Sequence, residues 1–449
     1  MWRTSNWREE VPALLRLAGP LIVNNLAIAG MQFADAVMAG RLGAEALAAV
    51  AVGGSVWFFG FAFCLGVLMA ISPIAARHYG ADRPELIGRY TRQGMYLGAG
   101  IGIAVIALMY LTVEPLLSQI GIDEGFKDLT VGYVQAIVWG APAIFVFLAL
   151  RFTTEGIGVT RPIMYASLFS LVCNVILNYV FMFGHFGVPA MGAVGCGVAS
   201  GITMWALMFV LATYMIRSKR YKPLKIFSRV GRVRPEVLKE IIFLGFPIAV
   251  MITAEAGLFN AVSILMGTRG AAIAAAHQIA INFAATMFMI PLALSSAITV
   301  RVGHALGSGN GEAARRAGGL GIVTCALFMS VSATFLLVFR DAVVNMYTND
   351  PSVTSIAISL LLMAAIFQVA DGVQIGSAGA LRGYKDTRFP MAINIFAYWV
   401  IAFPLAYLAT VTYQLAPAYI WGAFVIGLGV SAILLAWRFA QLSRGYVAG

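Results

Sequence analysis

The sequence predicts an all-α integral membrane protein of twelve transmembrane helices, built as two six-helix repeats that enter the bilayer in the same sense. Three observations carry this: the composition, the number of long apolar runs, and a match of the chain with itself at a shift of 227 residues. Of the 449 residues, 61% are hydrophobic and only 11% are charged, and the mean hydropathy is +0.87. Water-soluble domains carry about a quarter charged residues and are under half apolar, so this chain belongs to the membrane class.

A helix crosses the bilayer with about 20 apolar residues. Runs of that kind lie at 14–36, 46–74, 93–113, 129–150, 163–184 and 190–216 in the first half. In the second half they lie at 239–265, 273–299, 318–339, 353–377, 390–412 and 417–440. Short connectors with Gly, Pro and charges separate them. Long segments of alternating hydrophobicity, the signature of a membrane barrel, are absent. The opening stretch MWRTSNWREE is polar and basic, and the run after it is too long for the core of a cleaved leader, so no signal peptide is expected.

With both termini in the cytoplasm, 26 of the 30 basic residues fall on the inner side, and only Arg41, Lys127, Arg269 and Arg340 fall outside. Such an imbalance orients membrane proteins. It also accounts for the net charge of +11 without a polyanionic partner, so the lipid bilayer and not nucleic acid is the expected surroundings. The densest block, RSKRYKPLKIFSRVGRVRPE at 217–236, falls in a cytoplasmic linker, 217–238. That linker joins an N-terminal bundle (1–216) to a C-terminal one (239–449), and it reads as a topology anchor more readily than as a lipid-headgroup site.

The 227-residue shift places Pro20 on Pro247, Gly30 on Gly257, Gly43 on Gly270, Gly80 on Gly307, Glu85 on Glu312 and Arg89 on Arg316. It also places Gly156, Thr160 and Arg161 on Gly383, Thr387 and Arg388. Matches of Ala and Gly come easily in so apolar a chain, but a fixed offset that includes Pro, Glu, Thr and Arg does not. Each half has an even number of spans, so the halves are parallel repeats about an axis along the membrane normal. That architecture leaves a cleft between two bundles, which rocking would expose to each side in turn. Pro20 and Pro247 kink matching helices.

Most charges sit in the connectors. The exceptions are Asp35 near the outer end of the first span, Glu255 in the seventh and Asp371 in the tenth. A charge at mid-bilayer costs about 2.5–3.5 kcal/mol on insertion scales. None of the three has a Lys or Arg within its own helix turn, so cation binding or protonation is the natural way to neutralise them. The competing reading, structural carboxylates bonded to neighbouring helices, carries less weight. At the 227 shift they align with Val262, Ile28 and Ile144, so the halves share a scaffold but carry different acids. Counting from the helix ends puts Glu255 in the outer half and Asp371 deeper, which leaves their adjacency open.

Candidate site-lining groups are Asn174 and Asn178 on one face of the fifth span, and Gln278 and Asn282 on one face of the eighth. Phe367, one turn before Asp371, offers a ring face to a cation. For each of these, helix-packing glue weighs as much as a site role. His277 reads as structural, while His78, His185 and His304 fall in connectors without forming a metal cluster. Cys64, Cys173, Cys196 and Cys325 lie in apolar runs without paired spacing and read as packing residues. No nucleophile elbow, Walker loop or HExxH is present, so no enzymatic activity, ATP-driven transport or cofactor is expected.

Three stretches resemble a known family: ADAVMAGRLGAEALAA at 34–49, PLALSSAITVRVGHALGSGN at 291–310 and GALRGYKDTRFP at 379–390. They are similar to the multidrug and toxic compound extrusion (MATE) transporters, and within these to the NorM-type bacterial branch. The resemblance covers essentially the whole chain. It implies a V-shaped pair of six-helix bundles in the bacterial cytoplasmic membrane, both termini cytoplasmic, exporting cationic amphipathic drugs or dyes in exchange for Na+ or H+. It further implies that Glu255 and Asp371 hold the coupling cation, Na+ as the monovalent metal ion, and that Asp35 responds to protonation or substrate. All three acids are present, which favours the NorM-type over the DinF-type branch. A flippase of lipid-linked precursors shares a related architecture, but it would need cationic groups in the cleft where these acids stand. An intramembrane enzyme with paired aspartates would need a motif that the Asp371-Gly372 context does not supply.

Overall fold

The computed structural model describes residues 7–120, 124–228 and 231–448. Among them are twelve helices long and apolar enough to cross a membrane. In the first half these are α1 (Arg8–Leu42), α2 (Ala44–Gly80), α3 (Pro84–Gln119), α4 (Glu124–Gly156), α5 (Arg161–Phe183) and α6 (Gly192–Arg217). In the second they are α7 (Pro235–Gly267), α8 (Ala271–Gly307), α9 (Gly311–Asn345), α10 (Pro351–Gly383), α11 (Arg388–Thr412) and α12 (Pro417–Val447). The apolar stretches of α3 and α9, equivalent in the repeat, are the least buried, with Leu111 and Val331 among their exposed side chains. These two helices present their outer faces to lipid, where the intrahelical hydrogen bonds of the backbone need no water.

Several helices run past their apolar stretches at one end. α2 and α8 stop at Gly80 and Gly307, and α4 and α10 stop at Gly156 and Gly383, so the repeat holds for helix ends as well as spans. Entry into the next helix is capped where the connector is short. The Asn310 side chain accepts from the Ala313 amide at 2.9 Å, and Asp350 accepts from Ser352 ahead of Pro351. The bonds from Ser352 hold the Asp350 carboxyl below the usual carboxylate range, so its contribution to stability is present above the ordinary Asp value and lost only as pH falls through the lowered one. Replacing Asn310 with Ala is expected to cost about 1 kcal/mol. Thermal unfolding of the detergent-solubilised protein measures this, and an unchanged midpoint would show that the cap is idle.

The chain divides into two compact units. One comprises residues 1–19, 80–82 and 250–449; the other comprises 20–79 and 83–249. The expected division at 216 and 239 follows the connectors, whereas packing divides α1 and α7 within their length, beside Pro20 and Pro247. In the first unit, Leu14 and Ala18 are buried in a core with Leu294, Ala297 and Ile298 of α8. In the second, a Cβ on Gly66 of α2 would overlap the backbone of Ala249, and one on Gly245 would overlap the Val67 carbonyl. The opening turns of α1 thus pack on α8, and those of α7 pack on α2, as the repeat requires.

The linker is laid along α3 of its own unit. Arg92 donates to the carbonyl of Lys225, and Gln93 donates to the Arg232 carbonyl at 2.9 Å while accepting from the Arg234 amide at 2.9 Å. Tyr96 donates to the Gly231 carbonyl at 3.1 Å. Tyr221, Leu224 and Ile226 are buried beneath the segment, and burial pushes the Tyr221 hydroxyl up to about 12. Arg229, inside the basic block, lies outside the described residues.

The expectation that only three acids leave the connectors is corrected here. Glu10, Arg151, Glu155, Arg301 and Arg382 all lie within helices, as do His78 and His304. The reason is that a hydropathy threshold ends a span at its first charges, while the helix continues into protein interior where those charges find partners. Glu10 is buried and paired in bidentate fashion with Arg301, the Nε···Oε1 distance being 2.6 Å. Glu155 and Arg382, equivalent at the 227 shift, are both buried and bonded to hydroxyls: Ser72 donates to Glu155 at 3.2 Å and Arg382 donates to Ser295 at 3.2 Å. With its amide oxygen turned towards Arg151 (3.2 Å), Asn24 also bonds Ser167 at 2.5 Å.

Candidate cation site

Asp371 is positioned by the way α10 packs. A Cβ on Gly372 or Gly376 would crowd Cys325, Met329 or Ile322 of α9, and one on Gly379 or Gly383 would overlap Ser295, Val302 or Thr299 of α8. With its backbone in contact with both neighbours, α10 has little freedom to rotate, and close packing of this kind transmits strain. Asp371 is only 3% exposed, and its Oδ1 has no hydrogen-bond partner among the described residues.

Glu255 on α7 is half-buried and lies within electrostatic range of Asp371. Neither acid takes part in an ion pair among the described residues. One residue before Glu255, the Ala254 carbonyl accepts from Trp399 Nε1 at 3.1 Å, and the indole lies against Gly257. Trp399 and its neighbour Tyr398 belong to a π-helical turn of α11, Phe396–Ala402. π-helical turns recur at functional sites, because the widened turn re-aims side chains. Tyr398 is fully buried, feels both carboxylates, and its hydroxyl accepts from Gln374 Nε2 at 3.2 Å.

Phe367 is buried in an aromatic cluster, its ring centroid 6.1 Å from Phe259, 5.9 Å from Trp421 and 6.3 Å from Phe424. The cluster is braced by His277. Trp421 Nε1, which can only donate, bonds His277 Nδ1 at 3.0 Å, which places the ring proton on Nε2, 3.0 Å from Ser263 Oγ. The Ser263 hydroxyl donates in turn to the Phe259 carbonyl at 2.8 Å. His277 is thus a neutral structural group. Gln278 and Asn282 share a face of α8, as their spacing predicts, and both are exposed.

In the other unit, Asp35 meets both predicted asparagines. Asn178 Nδ2 donates to Asp35 Oδ1 at 2.5 Å and to Asn174 Oδ1 at 3.2 Å, and both asparagines are buried. Asp35 also interacts with Asn174 and with the Cys196 thiol, and Tyr133 lies within its electrostatic range. Sequence reasoning missed Gln374, Tyr398, Trp399 and Cys196. Gln374 had a usable signal, since it stands three residues after Asp371 on the same helix face.

Two carboxylates within electrostatic range of each other, one of them buried and with an oxygen that has no hydrogen-bond partner among the described residues, favour a bound cation or a shared proton. Among the described residues, no three His, Cys, Asp or Glu side chains converge as they would around a transition metal.

The chain matches a family model, MatE, twice, at residues 20–180 and 247–408, so the second copy begins at Pro247 and the first at its repeat partner Pro20. It is 38% identical over 436 residues to a protein from Shewanella oneidensis described as a probable multidrug resistance protein NorM, covering 96% of this chain and 95% of that one. Among solved structures, a eukaryotic MATE transporter, AtDTX14, superposes with a TM-score of 0.88 at 21% identity, over 98% of this chain and 99% of that chain. An outward-facing multidrug resistance MATE family transporter of the MOP superfamily gives 0.89 at 21% identity, over 99% and 98%. At those identities the structures speak for the fold. The doubled family match and the NorM relative, joined to twelve spans and intramembrane acids, show that the chain belongs to the MATE family of multidrug efflux transporters, in its NorM-type branch, and is a multi-pass membrane transporter and not an enzyme.

Proposed function

We propose that this transporter is a secondary antiporter of the bacterial cytoplasmic membrane that exports cationic amphipathic compounds in exchange for Na+, with H+ as the alternative coupling ion. Glu255 and Asp371 hold the incoming cation, while Asp35, bonded to Asn174 and Asn178, responds to a proton or to substrate. The observation that carries this reading is the unpartnered, buried Asp371 Oδ1 within electrostatic range of a second carboxylate, with no cationic side chain paired to either among the described residues. A bound cation relieves both the mutual repulsion and the lost solvation. One charge moving down 100 mV supplies about 2.3 kcal/mol, which sustains roughly a fortyfold substrate gradient at about 1.4 kcal/mol per tenfold.

The test is efflux of a fluorescent cationic dye from proteoliposomes, with Na+ and H+ gradients imposed separately. Efflux driven by an inward Na+ gradient alone supports the reading, and efflux driven only by a pH gradient transfers the coupling to protons. If neither gradient moves dye, the antiport reading fails and the lipid-precursor flippase takes its place.

A further inference from the structure

The linker between α6 and α7 is a built surface and not a loose connector. Lys219–Leu224 forms a 3-10 turn, in which side chains three residues apart eclipse one another. One row, Tyr221 and Leu224, is buried, and Ile226 follows it inward. The row beside it, Lys219 and Lys222, is exposed, and so are Arg217, Arg220 and Lys225. The buried row is seated on α3. A Cβ on Gly88 would overlap the Leu224 carbonyl, and Arg92 donates to the carbonyls of Lys225 and, at 3.4 Å, of Ile226. The Tyr221 ring lies edge-on to Tyr214 of α6, with centroids 6.0 Å apart. The cations are therefore displayed on the exposed side of an anchored segment.

Five cations fall within the nine residues 217–225, and the protein itself does little to neutralise them. Lys225 is paired with Glu85 at 2.6 Å, whereas Arg217, Lys219, Arg220 and Lys222 form no ion pair among the described residues. The segment also lies where the spans end. Tyr214 and Ile216, in the last turn of α6, are exposed, as are Ile242, Phe243 and Phe246 near the start of α7. On a membrane helix such side chains face lipid, and an exposed Tyr marks the interfacial level. Phe227, just beyond the 3-10 turn, is exposed too. A soluble polyanion would account for the cations but not for the apolar rings on either side of them. A bilayer surface accounts for both, because apolar side chains enter the acyl boundary while cations meet headgroup phosphates.

We propose that segment 217–227 is a binding surface for the headgroups of anionic phospholipids, with Lys219, Arg220 and Lys222 as its principal contacts and Phe227 as its apolar anchor. Composition alone favours a topology anchor, which needs only the charge and would serve as well on a flexible loop. Seated on α3, the same residues persist in the folded protein as a surface that selects among lipids. A zwitterionic lipid carries the phosphate together with a cancelling cation and is held more weakly. Each Lys or Arg close to an anionic surface strengthens binding about fivefold.

The experiment titrates the purified full-length protein in maltoside detergent with dioctanoyl phosphatidylglycerol, and native mass spectrometry counts the lipid molecules retained. The triple variant Lys219→Gln, Arg220→Gln, Lys222→Gln is expected to need at least about a tenfold higher concentration for the same occupancy. Its fold is expected to stand, because the three side chains are exposed and make no ion pair among the described residues. Wild type is expected to retain dioctanoyl phosphatidylcholine at least about tenfold more weakly. A second triple variant, Arg315→Gln, Arg316→Gln, Arg444→Gln, removes three exposed cations from the other compact unit and is expected to bind phosphatidylglycerol like wild type. Equal loss in both triple variants would mean that retention follows total charge, and would overturn the proposal. Wild-type retention by the linker variant, or equal retention of the two lipids, would overturn it as well. Displacement of the lipid by an equal concentration of inorganic phosphate would make the segment a plain oxyanion site and refute the lipid surface.

Discussion

Asparagine in place of Asp371 is expected to abolish gradient-driven dye efflux. Asn is close to isosteric with Asp, so α10 keeps its glycine contacts with α8 and α9 while the site loses its buried negative charge. Removing one partner from a buried charge pair costs about 3–5 kcal/mol, so the cation affinity that drives the cycle falls by at least about a hundredfold. Glu255→Gln is expected to have the same effect. The double variant should be scarcely worse than either single one, because groups that hold one ion fail as a unit. Proteoliposome efflux measures all three. Wild-type gradient dependence in the Asp371→Asn protein would remove this pair from the coupling mechanism and move attention to Asp35.

The second large effect concerns folding. Glu10 is 1% exposed and grips Arg301 with both oxygens, inside a core that includes Leu14, Ala18, Leu294 and Ile298. Glu10→Ala leaves a guanidinium in that interior without its carboxylate, and the expected loss of stability is about 3 kcal/mol or more. Replacing both residues, as Glu10→Leu with Arg301→Met, removes the uncompensated charge and is expected to recover most of that loss. Thermal unfolding in detergent distinguishes the cases. A Glu10→Ala protein as stable as wild type would mean that the pair contributes nothing, as exposed pairs often do.

Much of this molecule was legible before any coordinates. Twelve spans follow from run length, and the repeat follows from Pro20 on Pro247 and Gly80 on Gly307. Helical spacing put Asn174 and Asn178 on one face of the fifth span, and the structure brings that face to Asp35. What escaped has identifiable causes. Hydropathy ends a helix at its first charge, so Arg301 and Glu155 were assigned to connectors although their helices continue around them. Same-face spacing located Gln278 and Asn282 together but carries no information on which face is buried. Tyr398 and Trp399 are adjacent in sequence, and a uniform 3.6-residue period gives no warning of the widened turn from which one reaches Gln374 and the other Ala254. That Glu255 and Asp371 come within electrostatic range of each other depends on the fold in three dimensions, which no single-helix count contains.

The division of α1 at Pro20 has a consequence for synthesis. Residues 7–19 are made early, yet their packing partners on α8 are made 270 and more residues later: Glu10 waits for Arg301, 291 residues downstream. Such long-range contacts are the slow ones to form. Until α8 arrives, the opening turns of α1 have no core of their own, and the first half cannot reach its final state by folding domain by domain. A nascent chain halted at residue 216 therefore holds six helices but not Arg301 or the α8 residues of the core that α1 enters, whereas one halted after Gly307 holds these.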